Sequence, residues 1–151
     1  MGPRLINWPR LLADFVGSRR DEPWSWGGHD CALFAADAVK AISGVDHAAI
    51  FRGGYSSASG ALEALLDYLD DEEPGGEGPL EAAIAGIMNA AGVAEIEPEN
   101  AGRGATALIA VENRAFNRAT GVVIGGGLVA LASDPGVVFR PIGDATRAWS
   151  T

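Results

Sequence analysis

The chain has 151 residues, 48% of them apolar, a single cysteine and a formal net charge of −9. That length suits one domain spanning residues 1–151, able to bury about two-thirds of its unfolded surface, and a lone cysteine excludes an internal disulfide framework. The acidic balance argues against nucleic acid and anionic membrane as partners. No apolar run reaches the roughly 20 residues of a membrane span, and the first ten residues, which include Pro3 and Pro9, do not read as a signal peptide.

Taken in chain order, Pro9 suits the first turn of a helix on which Leu11, Leu12, Phe15 and Val16 recur at helical spacing through Arg20. Asp21-Glu22-Pro23 ends it. A second helix is capped by Asp30, carries Leu33, Phe34, Ala38, Val39 and Ile42, and stops at Ser43-Gly44. Gly53-Gly54-Tyr55-Ser56 reads as a loop, and Ser59 as the cap of a third helix with Leu62, Leu65, Leu66 and Leu69 on one side. Residues 70–78 are acidic and Gly-rich, hence a surface loop, and Pro79 opens a fourth helix that runs to Ala91 before Gly92.

From there the pattern changes to short β-rich runs: 106–111, 120–124, 128–131 and 137–139, with Gly125-Gly126-Gly127 joining two of them as a hairpin. Helices first and an antiparallel sheet second is an α+β arrangement. Charge is uneven along it. No Lys or Arg falls between Arg52 and Arg103, where Glu63, Asp67, Asp70, Glu81, Glu95, Glu97 and Glu99 stand among others. A solvated flank and a docking face for a basic partner are the two readings of that run.

The chemistry concentrates at Pro23-Trp24-Ser25-Trp26-Gly27-Gly28-His29-Asp30-Cys31. Cys31 opens an apolar helix directly behind a Gly turn, where unpaired N–H groups and the helix dipole favour a thiolate. A thiolate that attacks an amide needs a base within hydrogen-bond reach and a group to orient that base. His29 and His47 are the histidines of the chain. His29, on the turn into the helix, tends to point away from the thiol; His47 follows the helix, about a helix length from its head. Asp30 reads as a cap whose charge opposes the thiolate, and Cys31 has the alternative of being a small buried hydrophobe. Adjacent pairs such as His29-Asp30 lack the spacing of zinc ligands, so no metal and no cofactor is expected. Trp8, Trp24, Trp26 and Trp149 either close the core or, for Trp24 and Trp26 with Asp30, line a groove.

This wording resembles the NlpC-type cysteine peptidases of papain-like fold. That family carries Pro-Tyr-x-Trp-Gly-Gly, a variable loop, then Asp-Cys-Ser-Gly, against Pro23-Trp24-Ser25-Trp26-Gly27-Gly28 and Asp30-Cys31-Ala32-Leu33 here. Its later strand reads His-Val-Gly-Ile-Tyr-Ile-Gly-x-Gly, against Ala119-Thr120-Gly121-Val122-Val123-Ile124-Gly125-Gly126-Gly127. The resemblance therefore implies a single NlpC-type domain, N-terminal helices on a small C-terminal antiparallel sheet. It puts Cys31 at the nucleophile position, Ala119 at the histidine position and Leu131 at the orienting position. More closely, the layout resembles small phage and prophage tail-region relatives that share the Trp-Gly-x-x-Asp-Cys-Ala-x-Phe-Ala-Ala-Asp helix, the Gly-x-Tyr loop at Gly53-Gly54-Tyr55 and the Ala148-Trp149 ending. This implies a non-catalytic component of a virion tail tip, assembled in the host cytoplasm among baseplate, hub and distal tail proteins. The enzymatic alternative is a cysteine peptidoglycan hydrolase that assists cell-wall penetration, with Cys31 as nucleophile and the base supplied by His29 or a neighbouring subunit.

Overall fold

The computed structural model describes residues 3–70, 78–112 and 116–151. Its first half is helical: α1 (Trp8–Ser18), α2 (Cys31–Ser43), α3 (Ala58–Tyr68) and α4 (Pro79–Ala90). Its second half is a sheet of β1 (Glu95–Ile96), β2 (Thr106–Ala110), β3 (Arg118–Gly125), β4 (Leu128–Ala132), β5 (Val137–Pro141) and β6 (Ala145–Trp149). All pairings are antiparallel, in the order β1-β6-β2-β3-β4-β5. This is an α+β fold with N-terminal helices packed on a C-terminal antiparallel sheet.

Local chemistry sets most of the boundaries. Pro9 lies in the first turn of α1, but the helix ends at Ser18, short of the expected Arg20. α2 runs from an Asp30 cap to Gly44 in the left-handed region at φ 78°. α3 is capped by Ser57, whose side chain accepts from the Gly60 amide; Ser59, the expected cap, is already inside the helix. The expected loop at 70–78 falls mostly outside the described residues. The hairpin at Gly125-Gly126-Gly127 joins β3 to β4, with all three glycines at positive φ.

Strand alternation divides the sheet into two faces. In register, Thr106 opposes Val122, Leu108 opposes Thr120 and Val122 opposes Ala130. These residues lie on the face that the helices cover, where Val122, Ala130 and Ala132 pack with Leu12, Phe34, Ala38 and Ile42. Ala107, Ile109, Ala119, Val123, Val129 and Leu131 form the other face and belong to the larger core. Trp149 on β6 is 1% exposed and joins that core. Among the described residues no helix is long and apolar enough to cross a membrane.

Candidate functional site

The head of α2 is built around Asp30, which is 1% exposed. Its Oδ1 accepts from the Leu33 amide at 2.9 Å; its Oδ2 accepts from the Gly27 amide at 2.9 Å and from the Tyr55 hydroxyl at 2.6 Å. One carboxylate therefore fixes the helix start, the Trp26-Gly27-Gly28 turn and the Gly53-Gly54-Tyr55 loop together. Burial, then the bond to Asp30, pushes the Tyr55 hydroxyl far above its ordinary range, so it stays protonated and remains the donor. Cys31 follows as the first residue of α2, buried at 7% exposure.

His29 is held just outside this head. Ser25 Oγ accepts from the His29 amide at 2.9 Å, and the ring is buried at 2% exposure with its edge on Phe34. Its Nε2 lies 2.8 Å from the Gly136 carbonyl and must donate to it, because a carbonyl only accepts. The neutral ring then presents Nδ1 as an acceptor to Arg19 Nη1 at 3.4 Å. Both ring nitrogens are thus engaged on the side of Arg19 and Gly136. Arg19 continues the chain of charge to Asp37 at 2.6 Å, Asp37 to Arg52 at 2.6 Å, and Arg52 to Asp46 at 2.7 Å.

His47 is positioned by that last link. Arg52 ties Asp46 to Asp37, about 9 Å further along α2 than Cys31 at a helical rise of about 1.5 Å per residue. The imidazole lines the same cavity as Cys31. Burial lowers its pKa, with Asp46 opposing that shift. The unfolded chain then takes up a proton near the ordinary value of 6.5 before the folded chain does, so stability is complete above that pH and falls as pH drops below it. We expect urea denaturation to show a smaller unfolding free energy at pH 5.5 than at pH 7.5, and His47→Gln to flatten part of that slope. An unchanged slope in the variant would assign it to other groups.

Cys31 opens onto a cavity of about 80 Å³ between α2, the 47–55 segment, α3, α4 and the sheet. Its walls are mainly Ala, Val, Leu, Ile and Met side chains, with Trp26, Phe51 and Phe116, and its polar members are Asp30, His47, Tyr55, Thr106 and Thr120. Of the residues expected at a groove, Trp26 and Asp30 reach this cavity. Trp24 packs instead against both cores, with its ring edge-on to Trp26 at 5.2 Å. Ala119 and Leu131 are 0% and 1% exposed on the sheet face opposite Thr120, and neither carries a group that could accept a proton. Sequence reasoning passed over Tyr55, Thr106 and Thr120 as site residues. Two hydroxyls at alternating positions of otherwise apolar strands were the available signal for the latter pair. Among the described residues no cluster of three His, Cys, Asp or Glu could hold a metal ion.

A helical half whose second helix opens on cysteine, laid against an antiparallel sheet, is the NlpC/p60 type of papain-like architecture. The fold is similar to the NlpC/p60 domain of the peptidoglycan hydrolase SagA, with a TM-score of 0.54 over 95% of this chain and 98% of that one. Sequence identity is 16%, so this likeness concerns the fold. The chain belongs to the family described as a domain of unknown function, DUF6950, whose model matches residues 3–151. No curated protein matches it in sequence.

Proposed function

We propose that this chain is a non-catalytic component of a phage or phage-like tail tip, which uses an NlpC/p60-type scaffold for assembly. The observation that carries the non-catalytic part is the capture of both His29 ring nitrogens by Arg19 and Gly136. A thiol that attacks an amide needs a proton acceptor within reach, and in this reading His29 does not serve as one. Ala119 and Leu131 stand at the positions where the resemblance expects the imidazole and its orienting group, but they lie on the sheet face turned away from the cavity. Placement in a tail rests on the Trp26 to Asp37 helix motif, the Tyr55 loop and the Ala148-Trp149 ending, and the acidic flank offers hub or distal tail proteins a charged face.

The second reading is a cysteine hydrolase acting on peptidoglycan peptides. The fold likeness to a peptidoglycan hydrolase domain favours it more than it favours a place in a tail. In that reading Cys31 is the nucleophile, and a neighbouring subunit supplies the base. Purified protein incubated with peptidoglycan is expected to release no new amines, and Cys31→Ala to be incorporated into particles at the level of the parent chain. Release of amines that Cys31→Ala abolishes would establish the hydrolase. Absence of the protein from purified particles, read by mass spectrometry, would remove the tail assignment.

A further inference from the structure

We infer that the cavity beside Cys31 is a binding pocket for a short, neutral, branched aliphatic group that carries one hydrogen-bonding function. The inference goes beyond the tail-tip reading and holds whether or not Cys31 has chemistry of its own. Its first support is the wall, in which Ala35, Val39, Leu65, Ala83 and Met88 present hydrocarbon to the space. A sugar or charged peptide placed there would leave its polar groups unpaired. Its second support is an orphan. Thr120 lines the cavity at 3% exposure, and its Oγ1 is buried with no hydrogen-bond partner. Buried hydroxyls are nearly always satisfied, so one left unmatched at a cavity wall marks a place for a partner.

Apart from His47, the other polar groups, Thr106, Asp30 and Tyr55, are already committed. Thr106 Oγ1 lies 3.2 Å from Thr151 Oγ1, and the Asp30 carboxylate holds three donors. Thr120 is therefore positioned to orient a guest, and as a hydroxyl it can donate to a carbonyl or accept from an alcohol or amide. Size sets the rest. A space of about 80 Å³ exceeds the roughly 10–15 Å³ that a water needs, which leaves room for a small branched aliphatic group.

Isoamyl alcohol and isopentane, which share a branched skeleton and differ in the hydroxyl, are the probes. Titrated into the full chain and followed by methyl NMR at Val39, Leu65, Ala83 and Met88, both are expected to give saturable shifts, with the alcohol bound more tightly. Thr120→Val keeps the shape and removes the hydroxyl; it should weaken the alcohol about fivefold, the worth of one ordinary hydrogen bond, and leave isopentane unchanged. Ala83→Leu fills the space and should abolish both. Absence of saturable shifts in the parent chain would overturn the inference. So would equal affinity of the parent and Thr120→Val for the alcohol, as expected if Thr120 Oγ1 only holds an ordered water.

Discussion

Asp30→Ala is expected to destabilise the fold by about 3–5 kcal/mol, the largest effect of any single polar substitution at the α2 head. The carboxylate accepts from the Leu33 amide, the Gly27 amide and the Tyr55 hydroxyl, and it is 1% exposed. Loss of an N-cap costs about 0.5–2 kcal/mol, and each buried donor left unmatched costs about 1–3 kcal/mol more. Tyr55 is less enclosed than Asp30 and can turn toward water, which keeps the total below the sum of three full penalties. For a chain of this length about 2–4 °C of Tm accompanies each kcal/mol, so the melting temperature should fall by about 10 °C. Asp30→Asn retains one acceptor oxygen for the cap and should lose less than half as much. Urea titrations with unchanged m-value would check both. A change within about 1 kcal/mol for Asp30→Ala would mean that water replaces the carboxylate, contrary to the burial of this site.

How much of this was legible in the sequence depends on whether a feature is closed by neighbours in the chain. Both ends of α2 were readable because Asp30 and Gly44 act within a turn of their own positions. The start of α3 was misplaced by two residues, since Ser56, Ser57 and Ser59 all have capping chemistry and only geometry selects the one that reaches the Gly60 amide. β6 went unread because Ala145-Thr146-Arg147-Ala148-Trp149 has little β-branched character. It is a strand because β1 and β2 flank it, with Thr106 opposite Trp149 and Glu95 opposite the same residue. Long-range pairing of that kind overrides propensity.

The site divides in the same way. The placement of Cys31 at a helix head followed from local signals. The Tyr55–Asp30 bond did not, because it requires the 45–57 segment to fold back along α2, an arrangement fixed by Arg52 on Asp37 and Asp46. Nor did the partners of His29, since Gly136 lies 107 residues away in sequence. Nearness in sequence made His29 a candidate base for Cys31, and a distant carbonyl decided where its ring points. Position along the chain thus predicted the nucleophile side of the site better than its surroundings.

Gly27→Ala is expected to cost about 2–4 kcal/mol, although it adds one methyl group. Gly27 has φ 85°, in the left-handed region that L residues adopt at a cost of about 1–2 kcal/mol, and a Cβ built there would collide with the Tyr55 carbonyl. The obstacle is backbone, which cannot swing aside as a side chain would, so the Tyr55 loop must move away from α2. That movement lengthens the bond between Tyr55 and Asp30, and a carboxylate that loses one of its three donors also holds the cap less firmly. Gly17→Ala in α1 is the control: nothing lies within 4 Å of its Cβ position, and a helical Gly→Ala change should raise stability by about 0.5–1 kcal/mol. Spectrophotometric titration separates loop displacement from general loss of stability. In the parent chain the Tyr55 hydroxyl is held protonated by burial and by Asp30, so its ionisation should move to lower pH in Gly27→Ala under conditions where the variant is still folded. If Gly27→Ala instead matched the parent in both stability and tyrosine titration, the close approach of the Gly27 turn to the Tyr55 loop would not exist in solution, and the clamp that Asp30 forms across the head of α2 would have to be abandoned with it.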